Sequence, residues 1–211
     1  MNDFINRISS RSARHLSIAL IVLDGFDFSS LSATMEAISA AKRKFDTDTV
    51  SCTTIGMRSS PMSNLGISVT PDITLKNARL SEYDVTILIG GSETKLKTNI
   101  ELTQQLIRAA KAGRLLGGIW NGAYHLAAAG LTDSYECLIT GDGKFSIEPP
   151  TPNRRRYLSW QFDEYRMTCS DAASAIFMLN AMFDHFFATS SQAQARQESE
   201  NLRNKPGRQT F

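Results

Sequence analysis

His15 through Leu23 is a nearly unbroken apolar run of strand length. Such a run suits a strand covered on both faces, as in parallel sheets. It stops at Asp24-Gly25, a turn signal, and Ser29, Ser30 or Ser32 can cap the helix that follows. There Leu31, Met35, Ile38 and Ala41 fall at helical spacing up to Lys42-Arg43-Lys44, where cations suit the helix dipole. Thr49 to Met57 alternates as a half-buried strand, and Ile67 to Thr70 reads as a short strand ended by Pro71. Val85 to Ile89 is a second buried-type strand and runs into Gly90-Gly91. Ile100, Leu102, Leu106, Ile107 and Ala110 mark a helix ending near Gly113. Leu115 to Trp120 is the next strand, turning at Asn121-Gly122 into an alanine-rich helix, Ala123 to Ala129, closed by Gly130.

Thr132 to Asn153 reads as irregular, with Gly141-Asp142-Gly143 a turn. Tyr157 to Phe162 and Tyr165 to Cys169 suit a hairpin, and Ser170-Asp171 caps a long helix reaching Phe187. In that helix Ile176, Leu179, Phe183 and Phe186 form one face, while Met178, Met182 and Phe187 spread beyond it; most of that width is expected in the core and some of it at a dimer surface. The order β-α-β-β-β-α-β-α predicts an α/β fold, a three-layer sandwich around a mostly parallel sheet. One domain over 15–189 is expected, with a flexible leader over 1–14 and a polar connector or tail over 190–211.

Composition narrows the function. Lys and Arg number 23 against 21 Asp and Glu, a net charge of +2, which argues against a dedicated nucleic-acid binder. Three cysteines, Cys52, Cys137 and Cys169, are too few and scattered for a disulfide framework or zinc cluster, and no histidine spacing suits a metal. No apolar run is long enough to cross a bilayer, and no secretory signal leads the chain, so no membrane partner and a cytoplasmic setting are expected. Arg154-Arg155-Arg156, among prolines, reads as a solvated loop rather than an acid-binding patch.

Ligands of open α/β sheets bind beyond the carboxyl ends of the strands. Three such ends stand out: Asp24-Gly25-Phe26, Gly90-Gly91-Ser92 and Ile119-Trp120-Asn121-Gly122. The third has the pattern of a nucleophile elbow, a sharp turn that lifts a serine or cysteine above a helix N-terminus. Its tip is Trp120, and indole is neither nucleophile nor base. The same pattern also suits a plain packing turn. Asn121 and the amides of Gly91 and Ser92 are the polar groups available to orient a carboxylate.

Phe26 to Ala41, Asn64-Leu65-Gly66-Ile67 through Pro71-Asp72, Ile89-Gly90-Gly91, Gly117 to Tyr124 with Leu126 to Leu131, and Arg166 to Ser170 occur in that order. Together they resemble the PfpI-type, class I glutamine-amidotransferase-like domains, and more narrowly those joined to AraC-type DNA-binding regions in bacterial regulators. The resemblance implies a flavodoxin-like, amidotransferase-like fold. Enzymes of that family carry a cysteine at the elbow and a histidine about 20 residues later; here those places hold Trp120 and Thr140 or Gly141. The resemblance places Cys137 within a strand, as the pattern does Cys169, rather than at a strand-to-helix turn, so neither can take over. Glu36 matches the acidic residue that hydrogen-bonds the elbow cysteine.

The resemblance therefore implies no catalysis and no cofactor, but a domain that senses a small metabolite, such as an amino acid or quaternary amine, and forms a homodimer. A tryptophan face attracts a cation by ~0.5–2 kcal/mol, so Trp120 with Glu36 suits a cationic ligand; alternatively the indole fills the old cavity and closes it. The expected pocket comprises Asp24, Phe26, Glu36, Gly90, Gly91, Ser92, Trp120 and Asn121. DNA would be bound only through a helix-turn-helix region absent from these residues, Gln192 to Arg208 resembling the connector to it. The rival expectation is an enzyme of the same superfamily, an amidase, hydratase or glyoxalase-like protein with a displaced active site.

Overall fold

A computed structural model describes residues 15–45, 50–135, 137–141, 144–148 and 159–203. The leader, Arg154-Arg155-Arg156 and the last eight residues lie outside the described residues. A seven-stranded sheet is sandwiched between two helical layers, as the order of apolar segments predicts. The strands are β1 (Leu16–Val22), β2 (Val50–Gly56), β3 (Ile73–Thr74), β4 (Val85–Ile89), β5 (Leu115–Ile119), β8 (Trp160–Asp163) and β9 (Arg166–Cys169). Their order in the sheet is β3-β2-β1-β4-β5-β9-β8, all neighbours parallel except β8 against β9. Every residue of β4 and β5 is buried, which is why both read as continuous apolar runs.

The period-2 alternation of β1 divides the core. Leu16, Ile18, Leu20 and Val22 face α1 (Phe28–Phe45) and α4 (Ala172–Arg203). Ala19, Ile21 and Leu23 face α2 (Ile100–Lys111) and α3 (Gly122–Ala128). α1 and α4 lie together on their face, where the rings of Phe45 and Phe187 stack 4.1 Å apart and Lys44 pairs with Asp184 at 2.7 Å. At the amino end of the sheet a nearly buried ion pair ties β1 to β4 and β5. Asp84 accepts from the Ser17 amide and hydroxyl at 3.0 and 2.7 Å and from Arg114 at 3.0 Å.

Several expectations are corrected. The short strand is Ile73–Thr74, not Ile67 to Thr70; in the earlier segment only Ser68 makes an isolated bridge, to Met62. The stretch read as irregular holds an antiparallel pair, β6 (Cys137–Gly141) with β7 (Lys144–Glu148). The cap of α1 is Asp27 rather than a serine, its carboxylate accepting from the Ser30 amide at 2.7 Å and hydroxyl at 2.8 Å. Helix α4 continues beyond Phe187 to Arg203. As expected of most of that width, Met178, Met182 and Phe187 are core residues; among the described residues the large apolar side chains that α4 leaves to solvent are Ile176 and Phe177, the latter 64% exposed.

Candidate functional site

The elbow keeps its backbone shape. Trp120 has φ 53°, left-handed geometry that costs a non-glycine residue ~1–2 kcal/mol. Its amide donates to the Cys169 carbonyl at 3.0 Å, and the Ala123 amide donates to its carbonyl at 3.1 Å. Gly122 then starts α3 so close to β4 that an added Cβ would lie 2.2 Å from the Leu88 carbonyl oxygen. Strand, left-handed tip and glycine-started helix are the geometry of a nucleophile elbow. The half-buried Trp120 side chain packs on the core cluster shared by α1 and α4.

The three cysteines are free thiols, Cys137 and Cys169 buried and Cys52 half-buried. Burial pushes Cys137 up to about 12 and raises Cys169 further still, while Cys52, also buried by its surroundings, rises to about 11. At neutral pH such thiols stay protonated and weakly nucleophilic. Glu36 does not meet Trp120 in a pocket: its side chain is 69% exposed on the solvent face of α1 and pairs with Arg43 at 2.9 Å. The cation-binding pair expected of these two residues is thus not assembled. Among the described residues no three His, Cys, Asp or Glu side chains group as metal ligands.

A cleft of about 670 Å³ opens at the carboxyl end of the sheet, on the α2–α3 side rather than the side where Trp120 packs. Strand order reverses between β1 and β4, and the cleft sits at that switch point. Leu23, Asp24 and Gly25 follow β1; Met57 and Arg58 follow β2; Met62 to Asn64 and Gly66 form one loop wall and Glu93 to Thr98 most of the other. His125 of α3 and Asn99, the cap of α2, complete the lining. Asp24 accepts from Arg58 and, at 3.0 Å, from the Met62 amide, so it joins the β1 and β2 loops. Gly25 has φ 75°, and a Cβ there would lie 2.4 Å from the Glu93 carbonyl oxygen; only glycine lets the β1 and β4 loops meet this closely.

Of the eight residues expected to form the pocket, Asp24 alone lines this cleft. Phe26 is fully buried in the core. Gly91 turns its carbonyl to the Thr94 amide at 3.1 Å and to Asn121 Nδ2 at 2.9 Å, so Asn121 braces the loop through its amide nitrogen while its Oδ1 is buried without a hydrogen-bond partner. The Gly90 amide donates to the Ile119 carbonyl at 3.0 Å, and Ser92 is exposed. The residues that sequence reasoning missed are Arg58, Asn64, Thr94, the lysines of the β4 loop and His125. His125 is 7% and Thr94 6% exposed, and His125 Nε2 and Thr94 Oγ1 are buried without a hydrogen-bond partner. Burial lowers the His125 pKa, which keeps its ring neutral.

Residues 16–140 match the DJ-1/PfpI family. The HTH-type transcriptional regulator GbdR of Pseudomonas aeruginosa is 29% identical over 140 residues, 66% of this chain and 38% of the regulator. The matched stretch therefore spans well under half the length of that relative. Among solved structures, an AraC family transcriptional regulator from Pseudomonas putida superposes with TM-score 0.69 at 23% identity, covering 86% of this chain and 99% of that one. A DJ-1 superfamily protein from Salmonella typhimurium gives 0.66 at 16%, covering 90% and 100%. These two likenesses are of fold.

Proposed function

The chain belongs to the DJ-1/PfpI family, and from that premise we propose that it is the metabolite-sensing, non-catalytic domain of an AraC-type transcriptional regulator. The observation that carries the reading is Trp120 at the elbow tip: the turn that enzymes use to present a nucleophile here presents a half-buried indole packed against the core. The similarity to GbdR supports a regulatory setting. Operator binding and control of transcription would belong to a helix-turn-helix region outside the shared stretch.

The ligand, a small metabolite such as an amino acid or a quaternary amine, would occupy the switch-point cleft and not the elbow. The cleft has the volume of a small-molecule site and mixes the apolar Leu23, Met57 and Met62 with several polar groups. Homodimerisation belongs to the same proposal, and the exposed Ile176 and Phe177 on α4 support it. Among the described residues no helix is long and apolar enough to cross a membrane.

Thermal unfolding against panels of amino acids and quaternary amines tests the reading. A true ligand stabilises by ~2.7 kcal/mol at a hundredfold excess over its Kd. Turnover of amide, nitrile or dicarbonyl substrates, with no stabilising ligand in either panel, would replace the sensor reading with the enzymatic one.

A further inference from the structure

We infer that a single water molecule binds beneath the cleft floor, held by Asn121 Oδ1, the Thr94 hydroxyl and the His125 imidazole, and ties the β4 loop, the elbow and α3 together. Such a water belongs to the unliganded protein and goes beyond the sensor reading, whichever metabolite the cleft takes.

Five buried side-chain polar atoms among the described residues have no hydrogen-bond partner. Thr34 lies on α1 and Thr86 on the amino half of β4, but the other three belong to residues joined pair by pair. Asn121 and Thr94 share one acceptor: Asn121 Nδ2 and the Thr94 amide both donate to the Gly91 carbonyl, at 2.9 and 3.1 Å. Asn121 is the N-cap of α3 and His125 lies one turn on, where side chains at i and i+4 share a face. His125 and Thr94 both wall the cleft. All three residues are more than nine-tenths buried. Buried polar groups are nearly always satisfied, so three unpartnered atoms converging from three segments mark one bound molecule rather than three separate defects.

Their chemistry says which molecule. Asn121 Nδ2 is engaged with Gly91, which leaves Oδ1, an acceptor only. Burial keeps the His125 ring neutral, so Nε2 accepts, or donates where it carries the ring proton. The Thr94 hydroxyl does either. A water gives one hydrogen to Asn121 and completes the set with His125 and Thr94, making roughly three bonds, the usual number for a buried water. An ammonium ion matches the acceptors too, but a buried cation needs an acid beside it. Asp24 is engaged by Arg58, and Glu93 is exposed on the cleft wall. The cleft that His125 and Thr94 line is the way in.

Thermal unfolding of unliganded Thr94→Val reads the water. Valine keeps the branched shape and removes the hydroxyl. With the three atoms dry, the variant sheds an unsatisfied group and its Tm holds or rises; with the water bound, it loses a hydrogen bond and its Tm falls. A lower Tm is expected. Magnetic relaxation dispersion of water oxygen should count one long-lived water fewer in Thr94→Val/His125→Leu than in the wild type. A crystal structure should place that water within hydrogen-bond distance of all three atoms. An unchanged or raised Tm in Thr94→Val, equal counts of long-lived water, or a direct Thr94–Asn121 hydrogen bond in the crystal overturns the inference. So does ammonium chloride that raises the wild-type Tm above its value in equal sodium chloride, with no such gain in the double variant, since the occupant is then ammonium. None of these outcomes bears on the sensor reading, which the ligand panels test separately.

Discussion

Replacing Trp120 by alanine and, separately, by glycine separates two properties that the elbow combines. The indole is half-buried on the α1–α4 cluster. Truncating a fully buried aromatic costs ~3–5 kcal/mol, so about 2 kcal/mol is expected here for Trp120→Ala. For a chain of this length that corresponds to a Tm lower by roughly 4–8 °C. Alanine must still adopt φ near 53°. Glycine loses the same packing but escapes the left-handed penalty of ~1–2 kcal/mol, against which its freer unfolded chain takes back ~0.4–1 kcal/mol. Trp120→Gly should therefore be more stable than Trp120→Ala by roughly 0.5–1 kcal/mol, the reverse of the order at ordinary positions. Urea titration followed by far-UV circular dichroism measures both. Ligand response should survive in both variants, because Trp120 does not line the cleft. An alanine variant more stable than the glycine one would refute the strained tip, and loss of ligand response would return Trp120 to the binding site.

Asp84→Ala should cost about 3 kcal/mol in urea titration, because it strands Arg114 in a nearly buried setting and frees two bonds from Ser17. Gly122→Ala drives a Cβ into the Leu88 carbonyl, on a central strand that cannot give way; loss of ~3 kcal/mol or failure to fold is expected from the same titration. His125 has a folded pKa below its unfolded value near 6.5, so its contribution is full above that pH and is lost as pH falls through the folded pKa. The Tm of the unliganded protein should consequently drop between pH 7.5 and 5.5 by more than that of His125→Leu. Iodoacetamide at pH 8 should label Cys52 slowly and leave Cys137 and Cys169 unmodified until urea unfolds the chain, as read by mass spectrometry.

The strands that carry the sheet were legible because burial on both faces writes an unbroken apolar run, as in Leu16–Val22 and Val85–Ile89. β3 was not: two residues, Ile73 and Thr74, held by pairing with Ile55 and Gly56 form no pattern of their own. β6 and β7 were hidden by the glycines and prolines around them, and pairing with each other decides their conformation. Helix α4 was read too short because the polar residues after Thr189 lack an apolar face. Many of them, Gln, Ala, Arg and Glu, are nevertheless good helix formers and prolong a helix already nucleated by its packed half. The elbow was legible in Trp120-Asn121-Gly122. The cleft was not, since its walls are loops without periodicity and the tertiary position of His125 cannot be read from spacing along its own helix.

This separation of elbow and cleft shows what the elbow's shape is for. Gly122 seats the start of α3 against the Leu88 carbonyl, and the Trp120 amide and carbonyl tie β5 to β9 and to α3. A right-handed tip residue would swing α3 away from β4 and open the core where Leu126 packs. The left-handed turn is therefore required by helix-on-sheet packing alone, whatever side chain stands at its tip. Losing a thiol there removes chemistry without removing the reason for the bend. An elbow with an unreactive tip is thus evidence of fold, and the case for ligand chemistry has to be made where polar groups lack partners, at His125 and Thr94 by the cleft and at Asn121 Oδ1 beside the tip.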